Sequence, residues 1–227
     1  ENPERVFNFG DIGVDTVLHM DFLSKEKLQN ELCINLMRPY AMVTFHPVTM
    51  EKDSVNQLKS LLSAIEEENE LIYVFTKANA DIGGAFINQV LQEFCEIHEN
   101  CYLFDSLGSR KYLSMLAGCK VVIGNSSSGI YEAPAFRIPT INIGNRQNGR
   151  VKAKSIVDCK PNKEEIVKAI KMVQSNSFTK KLKNMKIPFE GGKTAEKILE
   201  KIVQVVENKI NLQKGFYDIY FKTDIEK

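Results

Sequence analysis

Residues 121–136 read VVIGNSSSGIYEAPAF and contain three successive parts of one structural unit. The β-branched run VVIG is typical of a short strand that is buried on both faces. The Ser/Gly-rich run NSSS is typical of a turn, and Gly129–Phe136 has the pattern of a helix. The stretch therefore predicts a strand, a tight turn and a helix in direct succession, which is the repeating unit of an α/β fold.

The same alternation extends in both directions along the chain. Five further runs have the composition of buried strands: Tyr40–Phe45, Leu71–Thr76, Cys101–Phe104, Thr140–Ile143 and Ser155–Asp158. Five further stretches have helical patterns: Ser54–Glu67, Ala85–His98, Ser109–Gly118, Glu164–Gln174 and Thr194–Glu207. This order predicts an α/β fold with a doubly wound, Rossmann-like parallel sheet and helices on both of its faces.

The two ends of the chain fit the alternation less well. Arg5–Phe9 is predicted as a strand, and two helical stretches, Asp15–Phe22 and Ser24–Ile34, follow it. The end of the chain is aromatic and charged, and we expect it to pack back on the domain or on a partner. The predicted parts are an interdomain connection at 1–38, a Rossmann-like domain at 39–208 and a C-terminal tail at 209–227.

Composition excludes several classes of protein. Lys and Arg number 30 and Asp and Glu 29, so the net charge of +1 gives no electrostatic case for binding nucleic acid or a membrane surface. No apolar run approaches the roughly 18–20 residues of a transmembrane helix, and the polar start ENPE is unlike a signal peptide. Five widely spaced cysteines without a C-x-x-C pair argue against a zinc site and a disulfide framework. We therefore expect a cytoplasmic protein without a metal.

Ligands of open α/β sheets bind at the carboxyl ends of the strands, where this sequence places polar, small or basic residues. Gly124–Pro134 offers backbone N–H groups, serine hydroxyls and a helix N-terminus, which together suit a phosphate or diphosphate. Glu132, in the first turns of that helix, can accept from both hydroxyls of a ribose. The same residues are equally compatible with N-capping serines and an acid that complements the helix dipole.

Three other strand ends carry candidate groups. Arg146 and Arg150 lie on a Gly/Asn-rich loop and can donate in pairs to phosphate oxygens, or can lie in a solvated loop. His46, held by the following proline, can donate to a phosphate or act as a general acid or base, or can be a structural residue. Asp105–Ser109 can present backbone groups to a base edge. No G-x-G-x-x-G motif follows a strand, so no nicotinamide cofactor is expected.

Three motifs in this order resemble the hydrolysing UDP-N-acetylglucosamine 2-epimerases of sialic- and legionaminic-acid pathways. They are HPVT at His46–Thr49, GNSSSGIYE at Gly124–Glu132 and GNRQNGR at Gly144–Arg150. Shorter matches lie at Gly10–Gly13, at Asn79 and Asp81, at Ser106–Gly108 and in the closing run KGFYD. The resemblance implies a GT-B-like architecture with its active site between two Rossmann-like domains, and this sequence resembles only the C-terminal, nucleotide-binding half.

The resemblance also implies a role for each candidate residue. Ser126 and Ser127 would hold the UDP diphosphate, Glu132 the ribose hydroxyls, and the backbone around Leu107 the uracil. Arg146 would lie at the phosphates or the leaving UDP, and Asn79 would lie at the sugar side of the cleft. His46 would be the catalytic candidate, near the phosphate and the sugar.

In the reaction that the resemblance implies, UDP leaves with loss of the sugar C2 proton, and water adds to the glycal-like intermediate from the other face. The products are UDP and a free 2-epimeric amino sugar such as N-acetylmannosamine or a diacetylated analogue, and no cofactor takes part. The proton-transferring carboxylates would come from the first domain. We therefore expect this chain alone to be inactive and the full-length protein to be a homo-oligomer.

Two alternatives stay open at this point. A GT-B glycosyltransferase domain can use the same nucleotide cradle, and fold analogy alone does not separate the two activities. A non-catalytic assembly domain is the other alternative, and the aromatic tail is its best support. No residue in the sequence decides between UDP-N-acetylglucosamine and UDP-N,N′-diacetylbacillosamine as substrate.

Overall fold

Six short parallel strands form one sheet in the computed structural model of the chain, which describes residues 1–48, 53–68, 70–79, 83–208, 213 and 215–218. The strands are β1 Tyr40–Thr44, β2 Ile72–Thr76, β3 Cys101–Phe104, β4 Val121–Gly124, β5 Thr140–Ile143 and β6 Ile156–Cys159. Their order across the sheet is β3-β2-β1-β4-β5-β6, and all five pairings are parallel. The predicted doubly wound, Rossmann-like α/β fold is confirmed, and each strand lies within one residue of its predicted bounds.

Nine α-helices accompany the sheet within the described residues. They are α1 Ile12–His19, α2 Lys25–Leu32, α3 Ser54–Ile65, α4 Gly84–Ile97, α5 Gly108–Gly118, α6 Ser128–Ala135, α7 Lys163–Gln174, α8 Asn176–Leu182 and α9 Thr194–Glu207. All six helices predicted from residue 54 onward are present, and α8 is an addition. None of the helices described by the structure is long and apolar enough to cross a membrane.

The helices cover the sheet from both sides, as its sequence pattern requires. The residues of β1 and β4 are buried throughout, and apolar side chains project from the two faces into two separate clusters. One cluster contains residues of α3, α4 and α7, and the other contains residues of α1, α2, α5 and α6. Each fully buried aliphatic side chain contributes about 1.5–3 kcal/mol to the free energy of unfolding.

The prediction of a strand at Arg5–Phe9 is wrong. Pro3–Arg5 forms a single 3₁₀ turn, which begins where Asn2 accepts from the Glu4 N–H group. The backbone beyond it contacts the loop before α9 instead of a sheet edge. The Phe9 carbonyl accepts from the Thr194 hydroxyl at 2.8 Å, and the Asp11 N–H group donates to the Phe189 carbonyl at 2.9 Å. These long-range bonds use backbone groups that a strand would need for its ladder.

The rest of the predicted connection, residues 1–38, packs directly on the sheet domain. Val14 and Val17 of α1 and Leu28 of α2 are buried in the second cluster. The Asp15 carboxylate accepts from the Thr194 and Ala195 N–H groups at 3.1 and 3.2 Å, and so ties α1 to the start of α9. This contact places α1 beside α6, where the candidate site lies.

Candidate functional site

The strand order creates a crevice at the carboxyl edge of the sheet. The chain passes from β1 to β2 on one side, whereas β4 lies on the other side of β1, so the loops after β1 and β4 diverge. Ligands of open α/β sheets bind at such a switch point. A cleft of about 520 Å³ lies here, and side chains from four strand ends and α5 line it: His46, Asn79, Leu107, Tyr112, Ser126 and Ser128.

Four of the predicted site residues therefore meet in one cleft: His46, Asn79, Leu107 and Ser126. The other three are not among the described residues that line the cleft. Ser127 precedes α6, Glu132 lies one turn into that helix, and Arg146 contacts the loop after β4. Asp81 and Thr49, which belong to two of the motifs, are outside the described residues.

The serine turn does not act as an ordinary helix cap. Ser127 occupies the N-cap position of α6, but its side chain makes no capping hydrogen bond. The Ser126 hydroxyl accepts from the Ser128 N–H group only at a long 3.4 Å. The N-capping interpretation of these serines is therefore not supported, and the start of α6 keeps the character of an anion site.

Asn125 joins three of the site loops, and it was not among the predicted site residues. Its Oδ1 accepts from the His46 N–H group at 2.7 Å, and its Nδ2 donates to the His46 carbonyl at 2.8 Å. Its own carbonyl accepts from Arg146 Nη1 at 3.1 Å and from Gln147 Nε2 at 2.7 Å. Only 1% of Asn125 is exposed. The side-chain amide and the backbone carbonyl of this one buried residue thus hold together the loops after β1, β4 and β5.

The His46 ring is oriented by the loop after β2. The Asn79 N–H group donates to His46 Nδ1 at 3.3 Å, so Nδ1 acts as an acceptor. In the neutral ring the proton is then on Nε2, which is the atom able to donate to a ligand oxygen.

An Asn125→Asp variant tests the two hydrogen bonds between the Asn125 side chain and the backbone of His46. The aspartate keeps an acceptor for the His46 N–H group, but when ionised it places a second oxygen against the His46 carbonyl. We expect a loss of about 1–2 kcal/mol in the free energy of unfolding at pH 7. Because the protonated acid can donate to that carbonyl, the difference from wild type should shrink as the pH falls towards 4.

Urea unfolding followed by circular dichroism across this pH range measures the difference. Asn176→Asp, at an exposed position, is the control and should stay within about 0.5 kcal/mol of wild type. A pH-independent loss in Asn125→Asp would contradict the reciprocal hydrogen bonding.

Glu132 is a half-buried acid with an unsatisfied oxygen. Burial raises its pKa; hydrogen bonds from its own backbone N–H group and from Ser128 lower it, and the nearby Asp11 raises it. Within the described part of the chain, Oε2 is buried and has no hydrogen-bond partner. Buried polar atoms are nearly always paired, so this oxygen is an exception within the described structure.

The two arginines of the Gly144–Arg150 loop have different environments. Arg146 points to the loop after β4, as described, whereas the Arg150 guanidinium lies 5.3 Å from the centre of the Tyr131 ring. The phosphate role suggested by the sequence therefore suits Arg146 better than Arg150. No group of His, Cys, Asp or Glu side chains in the described ranges is arranged to hold a metal ion.

Comparisons with known proteins match this chain over nearly its whole length. The family model for UDP-N-acetylglucosamine 2-epimerase matches residues 1–203. GDP/UDP-N,N′-diacetylbacillosamine 2-epimerase (hydrolyzing) from Campylobacter jejuni is 38% identical over 96% of the chain, and polysialic acid biosynthesis protein P7 from Escherichia coli is 35% identical over 96%. The chain spans 57% and 56% of the length of these two relatives.

Solved structures share the fold at lower identity. The S. aureus MnaA–UDP co-structure has a TM-score of 0.70 at 17% identity, and covers 96% of this chain and 59% of its own. A Methanocaldococcus jannaschii UDP-GlcNAc 2-epimerase in complex with UDP-GlcNAc and UDP has a TM-score of 0.69 at 18% identity, covering 90% of this chain and 56% of its own. By its sequence matches, the chain belongs to the UDP-N-acetylglucosamine 2-epimerase family.

Proposed function

We propose that this chain is the UDP-sugar-binding part of a hydrolysing 2-epimerase, which releases UDP and a free 2-epimerised amino sugar. The observation that carries the proposal is the grouping of His46, Asn79, Leu107 and the serine turn in one cleft at the switch point. The names of the C. jejuni and E. coli relatives support the hydrolysing reaction and an acidic amino-sugar pathway.

Each part of UDP has a complementary group in this arrangement. The diphosphate lies at the start of α6, where the helix N-terminus and the hydroxyls of Ser126 and Ser127 favour negative charge. The ribose hydroxyls donate to Glu132, and the uracil contacts the backbone around Leu107. Arg146 lies on the phosphate side, next to Asn125.

Catalysis then depends on stabilising the departing UDP. Charge develops on the diphosphate when its bond to the sugar breaks, and donors that are already in place stabilise that charge without reorganisation. His46 Nε2–H and the Arg146 guanidinium supply such donors, and Asn79 lies on the sugar side of the cleft. Removal of the C2 proton and addition of water require carboxylates that lie outside this chain, so we expect the chain alone to be inactive.

A second domain is part of this proposal. The chain spans little more than half of its relatives, and α9 has an uncovered apolar face. Four side chains spaced along one side of that helix are 45–69% exposed: Leu199, Ile202, Val203 and Val206. We place the connection at 1–38, the UDP-binding domain at 39–208 and the tail at 209–227, and we propose a homo-oligomer for the whole protein.

The five cysteines are free thiols, which fits the reducing cytoplasm.

UDP should stabilise the chain against heat. At about 100 times its dissociation constant, a ligand that binds only the folded state adds about 2.7 kcal/mol to the free energy of unfolding. For a domain of this size we expect a rise of roughly 5–10 °C in Tm. Differential scanning fluorimetry with millimolar UDP measures it, and uridine without phosphates is the control. An unchanged Tm at millimolar UDP would contradict the proposal.

The reaction and the sugar are tested on the full-length protein. Incubation with UDP-N-acetylglucosamine or UDP-N,N′-diacetylbacillosamine in water should release UDP and the corresponding free 2-epimer, identified by NMR. Retention of the sugar until an acceptor is added would instead identify a glycosyltransferase.

A further inference from the structure

One side chain of α4 holds the start of the loop after β2. Asn88, in the second turn of that helix, forms two hydrogen bonds with the backbone of Ala78. Its Oδ1 accepts from the Ala78 N–H group at 2.7 Å, and its Nδ2 donates to the Ala78 carbonyl at 3.3 Å. A reversed amide would place its NH₂ group against the Ala78 N–H group, so the orientation of the Asn88 side chain is fixed.

The backbone of the next residue is also tied to α4. An added Cβ atom at Gly84, where α4 begins, would overlap the Asn79 carbonyl oxygen, so only a glycine allows this close approach. Ala78 and Asn79 are thus both held against the first two turns of the helix.

The peptide unit between Ala78 and Asn79 connects Asn88 to the His46 ring. Its carbonyl accepts from Asn88 Nδ2, and its N–H group donates to His46 Nδ1 at 3.3 Å. A peptide unit is planar, so the hydrogen bond at its carbonyl also fixes the direction of its N–H group. Hydrogen bonds in such a series polarise one another, which strengthens donation to the ring. Asn79 and His46 line the cleft, whereas Asn88 is not among the described residues that do.

We propose that Asn88 is a positioning residue that, through this peptide unit, keeps the His46 ring oriented and protonated on Nε2 for the diphosphate of UDP. The inference rests on the proposed function, because it takes that diphosphate as the ligand of His46. Without Asn88, the peptide unit loses its hold on α4, and its N–H group no longer selects one form of the ring.

The first test is the position of the ring proton, read from the ¹⁵N chemical shifts of the three histidines at about pH 8. In His19 and His98, Nδ1 lies 2.8 Å from a backbone carbonyl, which only accepts, so the proton is on Nδ1. His46 should show the opposite pattern, and the spectrum of His46→Gln identifies its signals. In Asn88→Leu, which removes both hydrogen bonds at similar size, only the His46 shifts should move towards the average of the two forms.

The second test is a double-mutant cycle on UDP affinity, measured by isothermal titration calorimetry on the 227-residue chain. Asn88→Leu should weaken UDP roughly three- to tenfold. In the His46→Gln background the same change should cost less than about twofold, because its effect passes through the ring. Gln92→Leu is the matched control, since it makes the same kind of change at an exposed position of α4. It should keep the wild-type shifts and affinity.

Unchanged His46 shifts in a folded Asn88→Leu chain would overturn the inference. Equal losses of affinity with and without His46 would overturn it too, since general damage to the site weakens UDP in both backgrounds. If Asn88→Leu does not fold, Asn88→Asp gives the same test, because the ionised acid keeps the acceptor for Ala78 but has no donor for its carbonyl.

The two tests separate this inference from the function on which it rests. If the wild-type chain does not bind UDP, or His46→Gln binds it as tightly as wild type, the proposed contact of His46 with the diphosphate is overturned. Movement of the His46 shifts in Asn88→Leu would then still support the control of the ring by Asn88, and unchanged shifts would overturn that control as well.

Discussion

Replacing Glu132 with glutamine is expected to weaken UDP binding by roughly 10- to 100-fold and, at pH 7, to stabilise the protein without ligand. Hydrogen bonds to a charged group contribute about 1.5–3 kcal/mol each, and the amide removes that charge from the proposed ribose contact. In the free protein, the same change removes a half-buried carboxylate with an unsatisfied oxygen. Replacing a residue that has only a structural role would not weaken UDP binding and at the same time stabilise the ligand-free protein.

The pH dependence gives a second signature of the same residue. Burial raises the pKa of Glu132 in the folded state above its ordinary value. The resulting stability is fully present below the unfolded-state pKa and is lost as the pH rises through the higher folded-state value. Wild type should therefore lose this contribution as the pH rises from the ordinary range of a glutamate through the raised folded-state pKa, and Glu132→Gln should not.

Urea unfolding from pH 4 to pH 8, with and without UDP, measures both effects. Glu164→Gln is the control, since Glu164 is an exposed acid in the first turn of α7 and has no contact with the cleft. Unchanged UDP affinity in Glu132→Gln would contradict the ribose contact. A lower stability of the ligand-free variant at pH 7 would contradict the unsatisfied carboxylate.

The sequence predicts the sheet well because its strands are buried on both faces. Runs such as VVIG at β4 are apolar on successive residues, and this pattern belongs to few other structures. Helix α8 was missed for a different reason. Its sequence, NSFTKKL, is polar with one buried leucine, and Ser175 is at once the end of α7 and the cap of α8. No break in the sequence pattern separates the two helices.

The candidate site shows where sequence reasoning stops. His46 and Ser126 follow from a rule that needs only the strand ends, whereas the roles of Asn79 and Leu107 follow from the family resemblance. The structure brings all four residues into one cleft. Asn125 was missed because its partner His46 is 79 residues away, so the reciprocal hydrogen bonds exist only in the folded protein. The hydrogen bond between Tyr112 and Ser128 likewise depends on how α5 packs on α6.

Gly124→Ala is expected to have the largest effect on the fold, with a loss of at least about 4 kcal/mol, which is much of the 5–15 kcal/mol of a typical domain. Gly124 ends β4 with a φ of +133°, and an added Cβ atom would lie 2.0 Å from the Thr44 carbonyl oxygen. That oxygen also accepts from the Asn125 N–H group at 3.2 Å. The methyl group would therefore push β1 from β4 at the point where the candidate site opens.

Gly149→Ala is the matched control, because Gly149 also has a positive φ, of 78°, but no atom lies within 4 Å of an added Cβ. Its loss should be limited to the backbone strain of about 1–2 kcal/mol. Urea unfolding measures both variants, and UDP binding is measured where they fold. If the two glycines were equally tolerant, the close approach of β1 and β4 would be wrong. The carboxyl edge of the sheet would then be too wide for Asn125 to bond to both backbone groups of His46.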